Sequence, residues 1–163
     1  MEKLIITGGK KLGGEISVHG SKNAVLPIMA SALLIKGETV LHNVPNLSDV
    51  EASANILRRL GARVERKAST LIIDASSVTG NTIPEEMMRE MRSSIIFLGS
   101  LLSRCGEAWL CPPGGCDIGI RPIDLHISSL KKLGAQITEN GNCICCRALK
   151  LRGAKVFLSF PSV

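Results

Sequence analysis

The sequence predicts an α/β (α+β) fold made of repeated βαβαββ units, with buried helices packed against sheets. Three observations predict it. Gly37-Glu38 and Gly106-Glu107 lie 69 positions apart, and each pair closes an apolar run and opens a strand-like one. Leu57-Arg58-Arg59-Leu60-Gly61-Ala62 returns 73 positions later as Leu130-Lys131-Lys132-Leu133-Gly134-Ala135. The run Ala24 to Ile35 is apolar on nearly all sides, the pattern of a helix enclosed by other elements. Self-similarity at a fixed period marks a structural unit used more than once.

Taken in order, Leu4 to Val18 reads as two short strands around Gly8-Gly9, with Ile16 and Val18 alternating. Ser21-Lys22-Asn23 precedes the buried helix, which Lys36 and Gly37 close. Thr39-Val40-Leu41 is a strand that ends at Pro45. Ser48-Asp49-Val50-Glu51 has the form of a capping box, opening a helix with Val50, Ala54, Leu57 and Gly61 on one face. Val64 and Leu71-Ile72-Ile73 form a hairpin. The second unit repeats this plan, and between its two matched segments the offset grows from 69 to 73. The extra residues fall between Pro113 and Leu130. Gly153, Val156 and Leu158 follow Gly13, Ile16 and Val18 by 140 positions, so a third unit is expected to begin there.

The chain has 163 residues, 45% hydrophobic and 21% charged, which excludes a disordered protein and allows a sizeable core. With one Trp, three Phe and no Tyr, that core is aliphatic, and the stacking platforms of single-strand nucleic-acid binding are missing. The net charge of +6 is dispersed and suits an anionic small substrate. No apolar run is long enough to span a membrane. The six cysteines show no paired metal-ligand spacing and follow no signal peptide, so reduced thiols in a cytoplasmic protein are expected. Cys105 and the group Cys143, Cys145 and Cys146 read as small strand or core residues rather than a redox or zinc site.

The lengthened connection runs from Pro112 to His126. Its prolines and glycines exclude a helix or central strand. It holds Cys116, Asp117, Arg121 and Asp124. A thiol among glycines can approach a ligand closely, and an arginine fork recognises carboxylate or phosphate. Taken alone, the segment reads equally as a surface turn with an incidental cysteine. The repeat adds that Asn23 aligns with Arg92, placing Lys22-Asn23 and Met91-Arg92 before equivalent helices. Cations there oppose the helix dipole unless an anion joins them, so Lys22, Arg92 and Arg121 are expected to converge on an anionic ligand near Cys116.

Ser21-Lys22-Asn23-Ala24-x-Leu26-Pro27, Met91-Arg92-Ser93-Ser94 and above all Pro113-Gly114-Gly115-Cys116-x-Ile118-Gly119-x-Arg121-Pro122-x-Asp124-Leu125-His126 resemble the UDP-N-acetylglucosamine enolpyruvyl transferase (1-carboxyvinyltransferase) family. The resemblance runs from Leu12 to Val163. The related shikimate-pathway enolpyruvyl transferase resembles it in fold but lacks the cysteine loop. The resemblance implies transfer of enolpyruvate from phosphoenolpyruvate to the 3-hydroxyl of UDP-N-acetylglucosamine, with release of phosphate and without a metal or organic cofactor. It implies that Cys116 is the proton donor and forms a covalent adduct, and that Lys22 and Asn23 lie at the phosphoenolpyruvate site. Arg92 and Arg121 match arginines around the two anionic substrates. Pro122, Ile123, Asp124 and Leu125, with Ser162 and Val163, match contacts to the UDP-sugar. The implied setting is the bacterial cytoplasm, at the first committed step of peptidoglycan synthesis, with fosfomycin as an inhibitor and neither nucleic acid nor membrane as partner.

Set against that family, the chain reads as an N-terminal portion. Residues 1–20 are expected to form strands belonging to the other domain of the full-length enzyme. Residues 21–163 are expected to form an incomplete domain, with units at about 21–80 and 81–150 and a third cut off at 163. Such a portion is expected not to turn over alone, because catalytic groups act as a unit. Its uncovered apolar face predicts self-association or marginal stability. The competing readings are a non-catalytic UDP-sugar or phosphate-binding remnant of the same family and, ranked last, a basic RNA-binding domain.

Overall fold

A computed structural model describes residues 3–111, 122–141 and 143–161. The first unit contains α1 (Lys22–Ser31) continued by a 3-10 turn (Ala32–Leu34), β1 (Glu38–Leu41), α2 (Ser48–Arg59), β2 (Arg63–Lys67) and β3 (Thr70–Asp74). The second contains β4 (Thr82–Ile83), α3 (Glu85–Glu90), a 3-10 turn (Arg92–Ile96), α4 (Phe97–Cys105), β5 (Glu107–Leu110), α5 (Asp124–Lys132), β6 (Gln136–Asn140) and β7 (Cys143–Arg147). The second unit therefore runs βααβαββ, with the expected first helix divided into α3 and α4 by the 3-10 turn. The first follows the same order with that helix undivided and without a leading strand among the described residues.

The strands form a three-stranded sheet in the order β1-β3-β2 and a four-stranded sheet in the order β4-β5-β7-β6. Removing β4, which pairs parallel with β5, leaves two sheets of the same antiparallel plan. The equivalence reaches individual hydrogen bonds. The Gly37 carbonyl accepts from the Ala75 amide at 3.0 Å, and the Gly106 carbonyl accepts from the Ala148 amide at 2.8 Å. Helices α2 and α5 end alike: Ala62 donates to Leu57 O and Ala135 to Leu130 O, each at 3.0 Å. Gly61 and Gly134 follow these helices with φ of 102° and 99°, a left-handed turn that glycine adopts without a steric penalty.

Residues 3–20 carry no helix or strand, and Leu4, Ile5, Ile6, Leu12, Ile16 and Val18 are exposed. Alternating side chains make a strand only when another edge supplies hydrogen bonds; the edge expected for this segment belongs to another domain, and no described strand pairs with it. One expectation is corrected: Ser48 is not an N-cap. It is the first residue of α2, Leu47 takes the cap position, and no side chain caps the helix.

The helices lie within one aliphatic core. Met29 and Leu33 from the first unit are fully buried, as are Ile56, Leu57, Phe97, Leu98 and Leu101 from α2 and α4. Helix α1 is less enclosed than its composition suggests, since Ile28, Leu34 and Ile35 remain about half exposed. Arg104 joins the units. Its guanidinium donates to Leu33 O at 3.2 Å and to Ala75 O at 2.8 Å, carbonyls at the ends of a helical segment and a strand of the first unit. Ser94 is fully buried, and its hydroxyl donates to Met88 O at 3.1 Å, so its polarity is satisfied within the chain.

Cys146 faces this core opposite Ala108. Burial, with a smaller contribution from the neighbouring Cys145, pushes its thiol up from 9.0 to about 11. The fold favours the protonated thiol, so its contribution is complete below pH 9 and falls as pH rises from 9 toward about 11. Urea midpoints measured across this window in reductant are expected to fall, with a shallower fall for Cys146→Ala. Leu33→Ala is expected to destabilise the fold by about 2–5 kcal/mol in the same assay, through lost burial and a cavity between α1 and α4.

Candidate functional site

The start of α1 is set by a close backbone approach. An added Cβ at Gly20 would collide with the Asn43 carbonyl, so only glycine lets the chain pass the end of β1 before turning into the helix. Ser21 O then accepts from the Ala24 and Val25 amides, and Lys22 and Asn23 fall in the first helical turn. Beneath them lies a small groove lined by Gly20, Ala24, Val40 and Asn43, of about 270 Å³.

Lys22 is oriented from outside its own helix. Its Nζ lies 2.6 Å from Asp49 Oδ2, in the first turn of α2. A cation in the first turn of α1 opposes that helix dipole, whereas the carboxylate in the first turn of α2 agrees with its own. The pair thus links two helix N-termini. With side chains 50% and 25% exposed, it contributes to stability no more than about 1 kcal/mol, and its main effect is to fix where the ammonium points. Residue order did not reveal Asp49 as Lys22's partner, because its place in an apparent capping box accounted for it locally. Only the packing of α1 on α2 brings the two together.

Arg92 opens the 3-10 turn that packs against α1, is partly exposed and has no ion-pair partner among the described residues. The expected match between Lys22-Asn23 and Met91-Arg92 therefore holds in kind: each lies where a buried helical segment begins. Pro122 and Ile123 lead into α5, and Asp124 is its first residue. Leu125 lines an apolar groove of about 510 Å³ together with Ile95, Ile96, Leu98, His126 and Leu158. The fold thus brings the start of α5 beside the turn that begins with Arg92. Cys116, Asp117, Arg121, Ser162 and Val163 lie outside the described residues.

The larger cavity, about 590 Å³, lies elsewhere, lined by Glu107, Gln136, Arg147 and Lys150 among others. One oxygen of Glu107 is heavily engaged there. Its Oε1 accepts from Trp109 Nε1 at 2.6 Å and from Arg147 Nε at 2.8 Å, and these hydrogen bonds hold its carboxyl below the usual range. A carboxylate so engaged ties Trp109 and Arg147 together on the outer sheet face and is favoured in its ionised form.

One thiol expectation is overturned here. Cys111 and Cys143 form a disulfide. The register that pairs Leu110 with Ile144 brings the next residue of β5 opposite the first of β7, an adjacency across 32 positions that sequence spacing does not show.

The chain belongs to the EPSP synthase (3-phosphoshikimate 1-carboxyvinyltransferase) family, which matches residues 6–163. Within it, the chain is 46% identical over its whole length to UDP-N-acetylglucosamine 1-carboxyvinyltransferase 2 of Caldanaerobacter subterraneus and 51% identical to UDP-N-acetylglucosamine 1-carboxyvinyltransferase of Chloroherpeton thalassium. It spans 39% of the length of each of these relatives. Among solved structures, the enolpyruvyl transferase NikO from Streptomyces tendae superposes with a TM-score of 0.76 at 21% identity, over 89% of this chain and 32% of that one. EPSP synthase from Acinetobacter baumannii superposes with a TM-score of 0.64 at 18% identity, over 91% of this chain and 35% of that one. These two likenesses establish the enolpyruvyl-transferase fold.

Asp49→Asn is expected to change the urea midpoint by the equivalent of less than about 1 kcal/mol, because the pair is half exposed. Leu57→Ala, on the buried face of the same helix, is expected to cost about 2–5 kcal/mol in the parallel measurement.

Proposed function

We propose that this chain supplies part of the active site of a UDP-N-acetylglucosamine enolpyruvyl transferase. The reaction joins enolpyruvate from phosphoenolpyruvate to the 3-hydroxyl of UDP-N-acetylglucosamine and releases phosphate, as the first committed step of peptidoglycan synthesis. The observation that carries this reading is identity of 43–51% along the chain to proteins of that name. The Pro113 to His126 motif separates this reading from the shikimate-pathway enzyme. A bacterial cytoplasmic setting, with a part in cell-wall growth, cell shape and division, follows from the same reading.

In this reading Lys22 and Asn23 meet phosphoenolpyruvate at the start of α1, and Asp49 holds the ammonium in place. Arg92 and Arg121 neutralise the anionic substrates, since a guanidinium fork matches carboxylate and phosphate. Residues Pro122 to Leu125, with Ser162 and Val163, contact the UDP-sugar. Cys116 delivers a proton to the enolpyruvyl carbon and can bond covalently to the substrate. An ordinary thiol, with a pKa near ~8.5, is mostly protonated at neutral pH and so can act as a general acid. Because the chain spans 39% of its relatives' length, residues outside it complete the site, and turnover by the chain alone is not expected. A second reading is a UDP-sugar- or phosphate-binding member of the same family without chemistry.

Fosfomycin, an epoxide that a reactive thiol opens, separates the two readings. Intact mass and peptide mapping are expected to show one adduct on Cys116, formed faster when UDP-N-acetylglucosamine is present. Saturable UDP-sugar binding without any adduct would favour the second reading. Neither binding nor adduct would remove both readings for the isolated chain.

A further inference from the structure

Strand β5 turns Ala108 and Leu110 into the core, so Glu107 and Trp109 take its outward face. On β7, Cys145 and Arg147 share that face, since Cys145 Sγ lies 3.6 Å from Glu107 Oε1 and the Arg147 guanidinium lies over the Trp109 ring. Cys143 lies two residues before Cys145 on the same strand, and side chains two apart share a face. The bond between Cys111 and Cys143 therefore lies on the outside of the sheet. Cys143 is partly exposed, while Cys111 is nearly covered.

The bond joins strands that are already held by the pairs Glu107–Arg147 to Leu110–Ile144. Opening it leaves that ladder in place and frees only the exit of β5 from the entry of β7. We propose that Cys111 and Cys143 are a reversible dithiol–disulfide modification site, closed by a small-molecule disulfide such as oxidised glutathione and reopened by a dithiol. In the closing reaction the more accessible Cys143 thiolate attacks one sulfur of oxidised glutathione and expels a glutathione thiolate. The Cys111 thiolate then attacks the Cys143 sulfur of this mixed disulfide and expels the second glutathione thiolate. The two protein thiols are oxidised, the glutathione disulfide is reduced, and the two protons pass to the two departing glutathione molecules.

The other thiols among the described residues are poor competitors. Cys145 and Cys146 are buried, and burial pushes both thiols up, which keeps them protonated and unreactive. Exposed Cys105 lies at the end of α4, and its thiol is also pushed up by burial of the sulfur. The redox state would then set whether the exit of β5 stays tied to the entry of β7.

The 163-residue chain, first reduced with dithiothreitol, would be equilibrated with mixtures of reduced and oxidised glutathione and quenched in acid. Remaining thiols would be counted by maleimide mass after unfolding, and the bridge located by peptide mapping. The expected result is loss of the Cys111 and Cys143 thiols in one step with a Cys111–Cys143 peptide, any glutathione on Cys116 being mapped separately, and full recovery with dithiothreitol on the folded protein. Cys143→Ser should abolish the two-thiol loss, and Cys145→Ser should retain it. The proposal is overturned if the Cys111 and Cys143 thiols persist, if glutathione stays attached to Cys143, if the bridge maps to another pair, or if the folded protein resists reduction.

Discussion

Burial of the central helices against one another is the constraint on which the remaining structure depends. Met29 and Leu33 reach the core from the first unit and Phe97, Leu98 and Leu101 from the second, so neither unit completes a core alone. The sheets can then be short and one-faced, with Val64, Leu71 and Ile73 or Ala108, Leu110 and Ile144 inward and charged residues outward. Arg104 adds a directional element to this apolar contact. It satisfies two carbonyls of the first unit from a helix of the second, which fixes their relative placement more sharply than apolar packing can.

The same arrangement explains why the recognised motifs cluster at helix beginnings. When helices occupy the interior, their N-terminal turns are where a chain entering from a loop can still present polar groups to solvent. Lys22 and Arg92 both occupy such positions. Asp49 shows how one N-terminal turn conditions another, since a carboxylate favourable to its own helix also orients a cation unfavourable to the neighbouring one. Because the pair is partly exposed to solvent, its value lies in geometry rather than in stability.

The outer face of the second sheet follows a different logic. Glu107 gathers hydrogen bonds from Trp109 and Arg147 and lies near Cys145, so the only tryptophan serves as a donor and a platform on a sheet surface and does not fill the core. Phe97 takes the role of large core side chain, with aliphatic residues around it. A core so poor in aromatics depends on the close fit of Leu, Ile, Val, Met and Ala, where even small changes of volume are felt.

Local signals were sufficient for the elements and for their repetition. The Gly61 and Gly134 helix ends, the amphipathic α2 and the strands after Gly37 and Gly106 all arise from contacts within a few residues, so residue order alone determined them. The enolpyruvyl-transferase family was legible for the same reason: its motifs are contiguous stretches. Two outcomes were decided only in the folded chain. Asp49 looked like part of a cap and instead faces Lys22. Cys143, read as a small strand or core residue, meets Cys111 through the register of β5 and β7. Each depends on which distant segments lie side by side, and that is set by burial of the whole core rather than by any short stretch of sequence.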